Sequence, residues 1–411
     1  MIGVFVIGFA LRAGWGVSRM VRSDSGLNLE FPDEGVYWAM AGAFRQGKGL
    51  PDELGFQATR MPLYPALLSL FTGVERGLIG ARVLQWFVGA LAASLTAALG
   101  AKLFDWRVGL WSGPLVAADP FLIFFSSLLL TETFFVTAAA ALWLAASWAF
   151  TTPATQTDAP IRRWLVLALC SSLCVYVRES SLGLIALLLI LVAVSRPSSW
   201  KKLAGSGLTL CLIILALLPW AHRNRVVIGE SCWLTTRSGI SLYDGVRPNA
   251  TGGSDLAHVK QMPEVVGLSE VEWNRYFLTE SYKIIKTDPR RLIRLIPTKL
   301  ARIWNPLPNV ETYRSWGVRA VSAGWTIPTF ALTILGLTLM AASRGSGDWR
   351  IALFLVLPVI YLTLLHSVFV GSVRYRLGAL PMMAVAAAYA ICRIYDRFSS
   401  TRYIRSWTVD E

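Results

Sequence analysis

The sequence predicts an all-α polytopic membrane protein of about ten transmembrane helices, and three observations carry that prediction. Of its 411 residues, 55% are hydrophobic and only 16% charged, with a mean hydropathy of +0.52. A soluble core does not absorb that much apolar surface. Stretches of roughly 17–25 apolar residues, the length that crosses a bilayer, recur along nearly the whole chain. The Lys and Arg residues of the short connections fall on one side of the resulting topology, as they do on the cytoplasmic side of spanning helices.

The predicted spans are 1–17, 79–100, 108–127, 131–150, 163–177, 181–195, 203–220, 318–342, 351–368 and 377–394. Only Asp119-Pro120 divides the stretch from 108 to 150. The segments 163–177 and 181–195 are short, and also read as one helical hairpin kinked around Arg178-Glu179. The first stretch has no basic n-region and contains Arg12, so it reads as a retained span rather than a cleaved signal.

Lys102 and Arg107, Arg162 and Arg163, Arg196, Lys201 and Lys202, Arg344 and Arg350, and Arg393, Arg397, Arg402 and Arg405 share one side of the ten-span topology. That side is cytoplasmic. The loops 18–78 and 221–317, and the turns at Asp119, Arg178 and Arg374, are then extracytoplasmic. The expected location is the cell inner (plasma) membrane, multi-pass, with any site on these loops facing outward.

The net charge of +14 needs no nucleic acid to explain it, because cytoplasmic anchors and contacts to anionic membrane lipids account for most of it. No stacked aromatic and basic surface of a strand-binding kind is present, so nucleic-acid binding is excluded. Cys170, Cys174, Cys211, Cys232 and Cys392 offer no disulfide framework, since four lie in spans. His222, His258 and His366 have no metal-ligand spacing, and there is neither a P-loop nor a G-x-G-x-x-G after a strand.

Both outer loops carry interfacial helices. From Asp33 to about Gly47, Tyr37, Ala41 and Phe44 recur at helical spacing, with Pro32 before and Gly47 after. Residues 270–304 repeat the pattern, with breaks expected at Asp288-Pro289 and at Pro297. Between Thr236 and Gly253 the glycines and Pro248 predict a mobile turn-rich loop.

Asp33 and Glu34 place two carboxylates where the chain meets water outside. Asp33 within reach of a substrate hydroxyl is a general base, with Glu34 hydrogen-bonding substrate or orienting the site. The plain alternative is that Asp33 caps a helix and Glu34 answers its dipole. Arg60 is either a phosphate ligand or a snorkelling anchor. Arg178 lies between apolar stretches, where a charge is costly unless paired, as with Glu179. Glu132, near a span's outer end, either holds an arginine, contacts a substrate, or begins a helix. Arg374 and Arg376 flank Tyr375 at the outer end of the last predicted span, where guanidinium groups suit a carrier phosphate or a lipid head group.

Pro32-Asp33-Glu34 with Tyr37 and Ala41, Arg60-Met61-Pro62-Leu63-Tyr64-Pro65, Thr131-Glu132, Pro219-Trp220 with Arg223-Asn224, Gly239 to Gly252, and Arg374-Tyr375-Arg376-Leu377 follow in that order. In these motifs the chain resembles the bacterial glycosyltransferases of family 39, which include protein O-mannosyltransferases and the aminoarabinose transferases of lipid A. The resemblance covers nearly the whole chain as a single domain, 1–411. It implies the GT-C membrane fold and transfer of a sugar from a polyprenyl-phosphate donor to an acceptor, with inversion, on the outer face. It implies catalytic Asp33 and Glu34, and substrate or phosphate contacts from Arg60, Tyr64, Glu132, Arg178, Arg374 and Arg376. Aminoarabinose transferases carry a lysine where Arg60 stands and an acidic residue where this chain has Thr59. No metal and no cofactor are therefore expected. The acceptor is glycan, lipid or protein. The rival class is a transporter or flippase, which inverted repeats and paired broken helices at mid-membrane would favour.

Overall fold

The computed structural model describes residues 1–22, 29–151, 160–195, 200–256, 259, 262–343 and 348–407. Arg196, His258 and Arg344 lie outside the described residues, as do the side chains of Arg402 and Arg405. Among the described residues every regular element is helical. In order they are α1 (Ile2–Arg22), α2 (Pro32–Arg45), α3 (Leu63–Ser69), α4 (Gly77–Leu103), α5 (Trp106–Ala117), α6 (Pro120–Phe125), α7 (Glu132–Phe150), α8 (Ile161–Val177), α9 (Ser181–Val194), α10 (Trp200–Ile228), α11 (Ser238–Val246), α12 (Glu270–Thr287), α13 (Pro289–Ile303), α14 (Trp316–Ala342), α15 (Asp348–Val368), α16 (Val373–Arg376) and α17 (Leu380–Trp407).

Seven of these stretches are long and apolar enough to cross a membrane: α1, α4, α7, α10, α14, α15 and the run of α16 into α17. The other three predicted spans correspond to shorter helices. Residues 108–127 fall on α5 and α6, of 12 and 6 residues, parted at Asp119-Pro120. Asp119 accepts from Leu122 N, and Pro120 occupies the first helical position, where its missing N–H costs nothing. Segments 163–177 and 181–195 are α8 and α9, of 17 and 14 residues, which end and begin on either side of Arg178-Glu179.

The spans pack through small residues. A Cβ on Gly109 of α5 would stand 2.7 Å from Ala97 O of α4, and one on Gly100 would stand 2.6 Å from Ser112 Oγ. Gly336 of α14 lies against Ala386 O of α17 at 1.9 Å by the same measure. Where lipid competes equally for apolar surface, such close backbone approach is what holds helices together. Buried residues run continuously along α17 from Leu380 to Ala390, which makes it the central helix.

Three details of the long loops differ from the sequence reading. The helix α10 continues through Pro219 to Ile228 and stops at Gly229 (φ 77°), so Arg223 and Asn224 belong to a helix and not to the loop expected from 221. Likewise α13 runs unbroken through Pro297; a proline inside a helix removes one hydrogen bond without necessarily ending it. The stretch from Thr236 to Gly253 contains α11, which packs against α12 and α15. Its glycines serve close approach: a Cβ on Gly239 would stand 2.2 Å from Asn274 O of α12, and one on Gly245 would stand 2.6 Å from Val368 O of α15.

Candidate active site

Asp33 sits in the first turn of α2, and Glu34 fixes that turn. The Glu34 carboxylate is fully buried and accepts from Glu30 N at 2.9 Å, Phe31 N at 3.1 Å and Leu129 N at 2.7 Å. It satisfies donors that a helix start leaves open and ties α2 to the turn before α7. Capping therefore falls to Glu34 rather than to Asp33. The Asp33 side chain, 29% exposed, is left free to face the arginines.

The two long loops are stapled together by Glu270 at the start of α12. Its Oε2 accepts from Gln57 N and its Oε1 from Ala58 N, both at 2.7 Å, and Thr236 Oγ1 donates to Oε1 at 2.5 Å. Thr236 N also donates to Ala58 O at 3.0 Å. This join sets Arg60 and Arg237 down beside Asp33. Glu270→Gln replaces one acceptor oxygen with a donor facing backbone N–H groups, and is expected to cost about 1–3 kcal/mol. Thermal unfolding of the detergent-solubilised protein measures it, and an unchanged midpoint would remove the staple from the account.

Asp33 Oδ1 accepts from Arg60 Nη2 at 3.1 Å and Oδ2 from Arg374 Nη1 at 3.0 Å. Arg374 bridges onward, its Nε donating to Glu132 Oε1 at 2.8 Å. Arg178 Nη2 donates to the same oxygen at 2.9 Å and to Thr131 Oγ1 at 3.4 Å. Arg178 is thus paired with Glu132, not with its neighbour Glu179. Aromatic faces lie under these cations: Tyr37 is 5.6 Å from Arg60, Phe135 4.9 Å from Arg178, and Tyr375 5.4 Å from Arg374. Arg374 is itself positioned by its turn, where Gly371 N donates to Gly252 O and Val373 N to Asn309 Oδ1.

Burial opposes the charged form of Asp33, but the positive field of Arg60, Arg374 and Arg237 outweighs it and holds the carboxyl well below the usual carboxylate range. Such a group contributes its ion pairs above the ordinary value of about 3.9 and loses them only as pH falls through the lower folded value. Asp33 is therefore ionised throughout the neutral range. Arg237 was not singled out from the sequence. It is desolvated by burial and faces Arg60, which together bring its guanidinium down to about 10. Its side chain makes no hydrogen bond or ion pair among the described residues.

Five of the sequence-predicted residues, Asp33, Arg60, Glu132, Arg178 and Arg374, form one connected cluster, with Glu34 directly behind it. Tyr64 and Arg376 do not join it. Tyr64 is fully buried under Tyr37, and its hydroxyl accepts from Gln85 Nε2 at 2.9 Å. Arg376 points the other way, donating to Ile303 O at 3.0 Å and Asn305 O at 2.5 Å between the rings of Phe121 and Phe330. Both brace the site from behind.

Asp33 and Glu132 are the carboxylates nearest the centre, and the Arg374 guanidinium lies between them. A divalent cation bridging them would face that fixed charge, so this donor set does not fit a resident metal ion. Among the described residues no group of three or more His, Cys, Asp or Glu is placed to hold one.

Among solved structures the chain is similar to the archaeal oligosaccharyltransferase AglB from Archaeoglobus fulgidus, in complex with an inhibitory peptide and a dolichol-phosphate. The TM-score is 0.59 at 14% identity, covering 100% of this chain and 52% of that one. It is also similar to ArnT from Cupriavidus metallidurans bound to undecaprenyl phosphate, at a TM-score of 0.54 and 13% identity, covering 99% of this chain and 61% of that one. The chain thus spans about half the length of the first and under two thirds of the second. No protein-family model matches the sequence, and no curated protein matches it. Both structural neighbours are glycosyltransferases of the GT-C fold, and this chain, an all-α multi-pass membrane protein, has that fold.

Proposed function

We propose that the protein is a membrane glycosyltransferase that moves a sugar from a polyprenyl-phosphate donor to an acceptor on the extracytoplasmic face of the inner membrane, inverting the anomeric centre. The observation that carries this reading is the Asp33 carboxylate set among four guanidinium groups, those of Arg60, Arg178, Arg237 and Arg374. Asp33, Glu132 and Glu179 lie close to these cations, but Arg237 is bonded to none of them among the described residues, which leaves a guanidinium open to a phosphate. AglB and ArnT, with the same fold, are described with a dolichol-phosphate and with undecaprenyl phosphate.

In the reaction the acceptor oxygen bonds to the anomeric carbon as the carbon–oxygen bond to phosphate breaks. The acceptor proton passes to Asp33, and the bonding electrons leave on the polyprenyl phosphate. Guanidinium groups stabilise the charge that grows there, Arg237 foremost because it has no other partner. The clamp that keeps Asp33 ionised also makes it a weak base. A donor phosphate that draws Arg60 and Arg374 toward itself would relax the clamp and raise the basicity of Asp33 only when donor is bound. Glu34 and Glu132 position Asp33 and the arginines.

An in-membrane transfer assay over a panel of polyprenyl-phosphate sugars tests the reading. Labelled sugar should appear covalently on an acceptor. Flux of the lipid-linked sugar across sealed vesicles without transfer would establish the transporter instead. Arg237→Gln should raise the donor KM about tenfold or more, the worth of one charge-assisted hydrogen bond, and an unchanged KM would remove Arg237 from the phosphate site.

A further inference from the structure

Arg12 is a charged residue in the middle of the first spanning helix, α1, outside the cluster around Asp33. It is 1% exposed. Its Nη1 donates to Gly8 O and Ala117 O, both at 3.0 Å, and its Nη2 to Val116 O at 3.3 Å. Those last two carbonyls end α5, where the break at Asp119-Pro120 leaves them without helical partners. Arg12 therefore caps a broken helix with its two Nη groups. Its Nε–H has no partner.

Arg12, Glu132 and Thr133 all line one small cavity between α1, α4, α6 and α7. Glu132 Oε2 and Thr133 Oγ1 are also buried without a hydrogen-bond partner. Both residues are at most 5% exposed. One cavity thus gathers a donor and two acceptors, each costly to leave unsatisfied. The two oxygens of Glu132 differ: Oε1 carries Arg374 and Arg178 at the site, whereas Oε2 is buried without a partner on a residue that lines the cavity. A guanidinium among the lining side chains disfavours a cation there. The room is that of about one water molecule, which commonly makes three hydrogen bonds when buried.

We infer that a single buried water joins Arg12 Nε–H to Glu132 Oε2 and Thr133 Oγ1, and that Arg12 is thereby a positioning residue for Glu132 and, through it, for Arg374 and Arg178. The water accepts from Arg12 and donates to the other two. It holds the unused carboxylate oxygen away from the site, so that Oε1 stays shared between the two arginines. Arg12 also links the break between α5 and α6 to that geometry. The positioning role rests on the phosphate-binding reading above; the water does not.

A high-resolution structure of the whole protein in lipid nanodiscs tests the water directly. Density within hydrogen-bond distance of all three atoms is expected, and a dry cavity overturns the inference. Binding of undecaprenyl phosphate to the same preparation tests the positioning. Arg12→Met should weaken it about tenfold and the near-isosteric Thr133→Val severalfold, as expected for losing bonds to a charged group, whereas Thr133→Ser, which keeps the hydroxyl, should restore it. Equal weakening by Val and Ser means that only packing mattered and overturns the positioning role, as does unchanged affinity in Arg12→Met. If wild type itself fails to bind undecaprenyl phosphate, the phosphate-site reading falls, and the density alone decides the water.

Discussion

Asp33→Asn is expected to lower kcat by about 10²–10⁴-fold, the usual contribution of a positioned general base, while the protein still inserts and folds. The side chain is 29% exposed and the backbone of its turn is held by Glu34, so the amide disturbs little structure. The change also removes a negative charge from among four guanidinium groups. Donor should therefore bind at least as tightly as before, and the loss should appear in kcat with KM unchanged or lower. That split separates lost chemistry from a damaged site. Wild-type turnover in a folded Asp33→Asn protein, measured with an accepted lipid-linked sugar, would sink the mechanism.

Arg374→Leu should have the largest effect on stability. The guanidinium lies between Asp33 and Glu132, and Glu132 is 1% exposed. Removing one partner of a buried ion pair costs about 3–5 kcal/mol, because the other charge stays behind. Arg178 still pairs with Glu132, which places the expected loss near the lower end, about 3 kcal/mol. Adding Glu132→Gln should recover part of it, since the stranded charge is then gone. Such coupling is the signature of a direct interaction. Strictly additive losses in thermal unfolding of the two single variants and the pair would show that the bridge carries no such energy.

The cluster was legible where a charge stands at the edge of an apolar stretch, because it must then be paired or used. Arg178, Glu132 and Arg374 announce themselves in this way, and each proved to be bonded to another of the three or to Asp33. Their pairing was not legible. Arg178 beside Glu179 suggests a local pair, yet the partner came from α7. Arg237 was missed because its surroundings, rich in glycine, look like a mobile loop. Its place depends on a carboxylate at residue 270 meeting backbone at 57 and 58, and no local pattern encodes that meeting. Tyr64 and Arg376 show the converse: a residue two or four positions from a site residue can point away from it. The glycines at 239 and 245 carry the same lesson, since composition marks small residues without telling turns from tight helix contacts.

The span from Asp33 to Arg374 covers 341 positions of chain. During synthesis Asp33 and Glu132 leave the ribosome long before their shared arginine. Until Arg374 is in place, the ion pair of Glu132 is with Arg178 and that of Asp33 with Arg60. The site therefore cannot close before Arg374 is in place. A chain halted before residue 374 would carry a poorly compensated acid at the start of α7, a defect that membrane quality control could recognise, and the clamp on Asp33 would be unfinished.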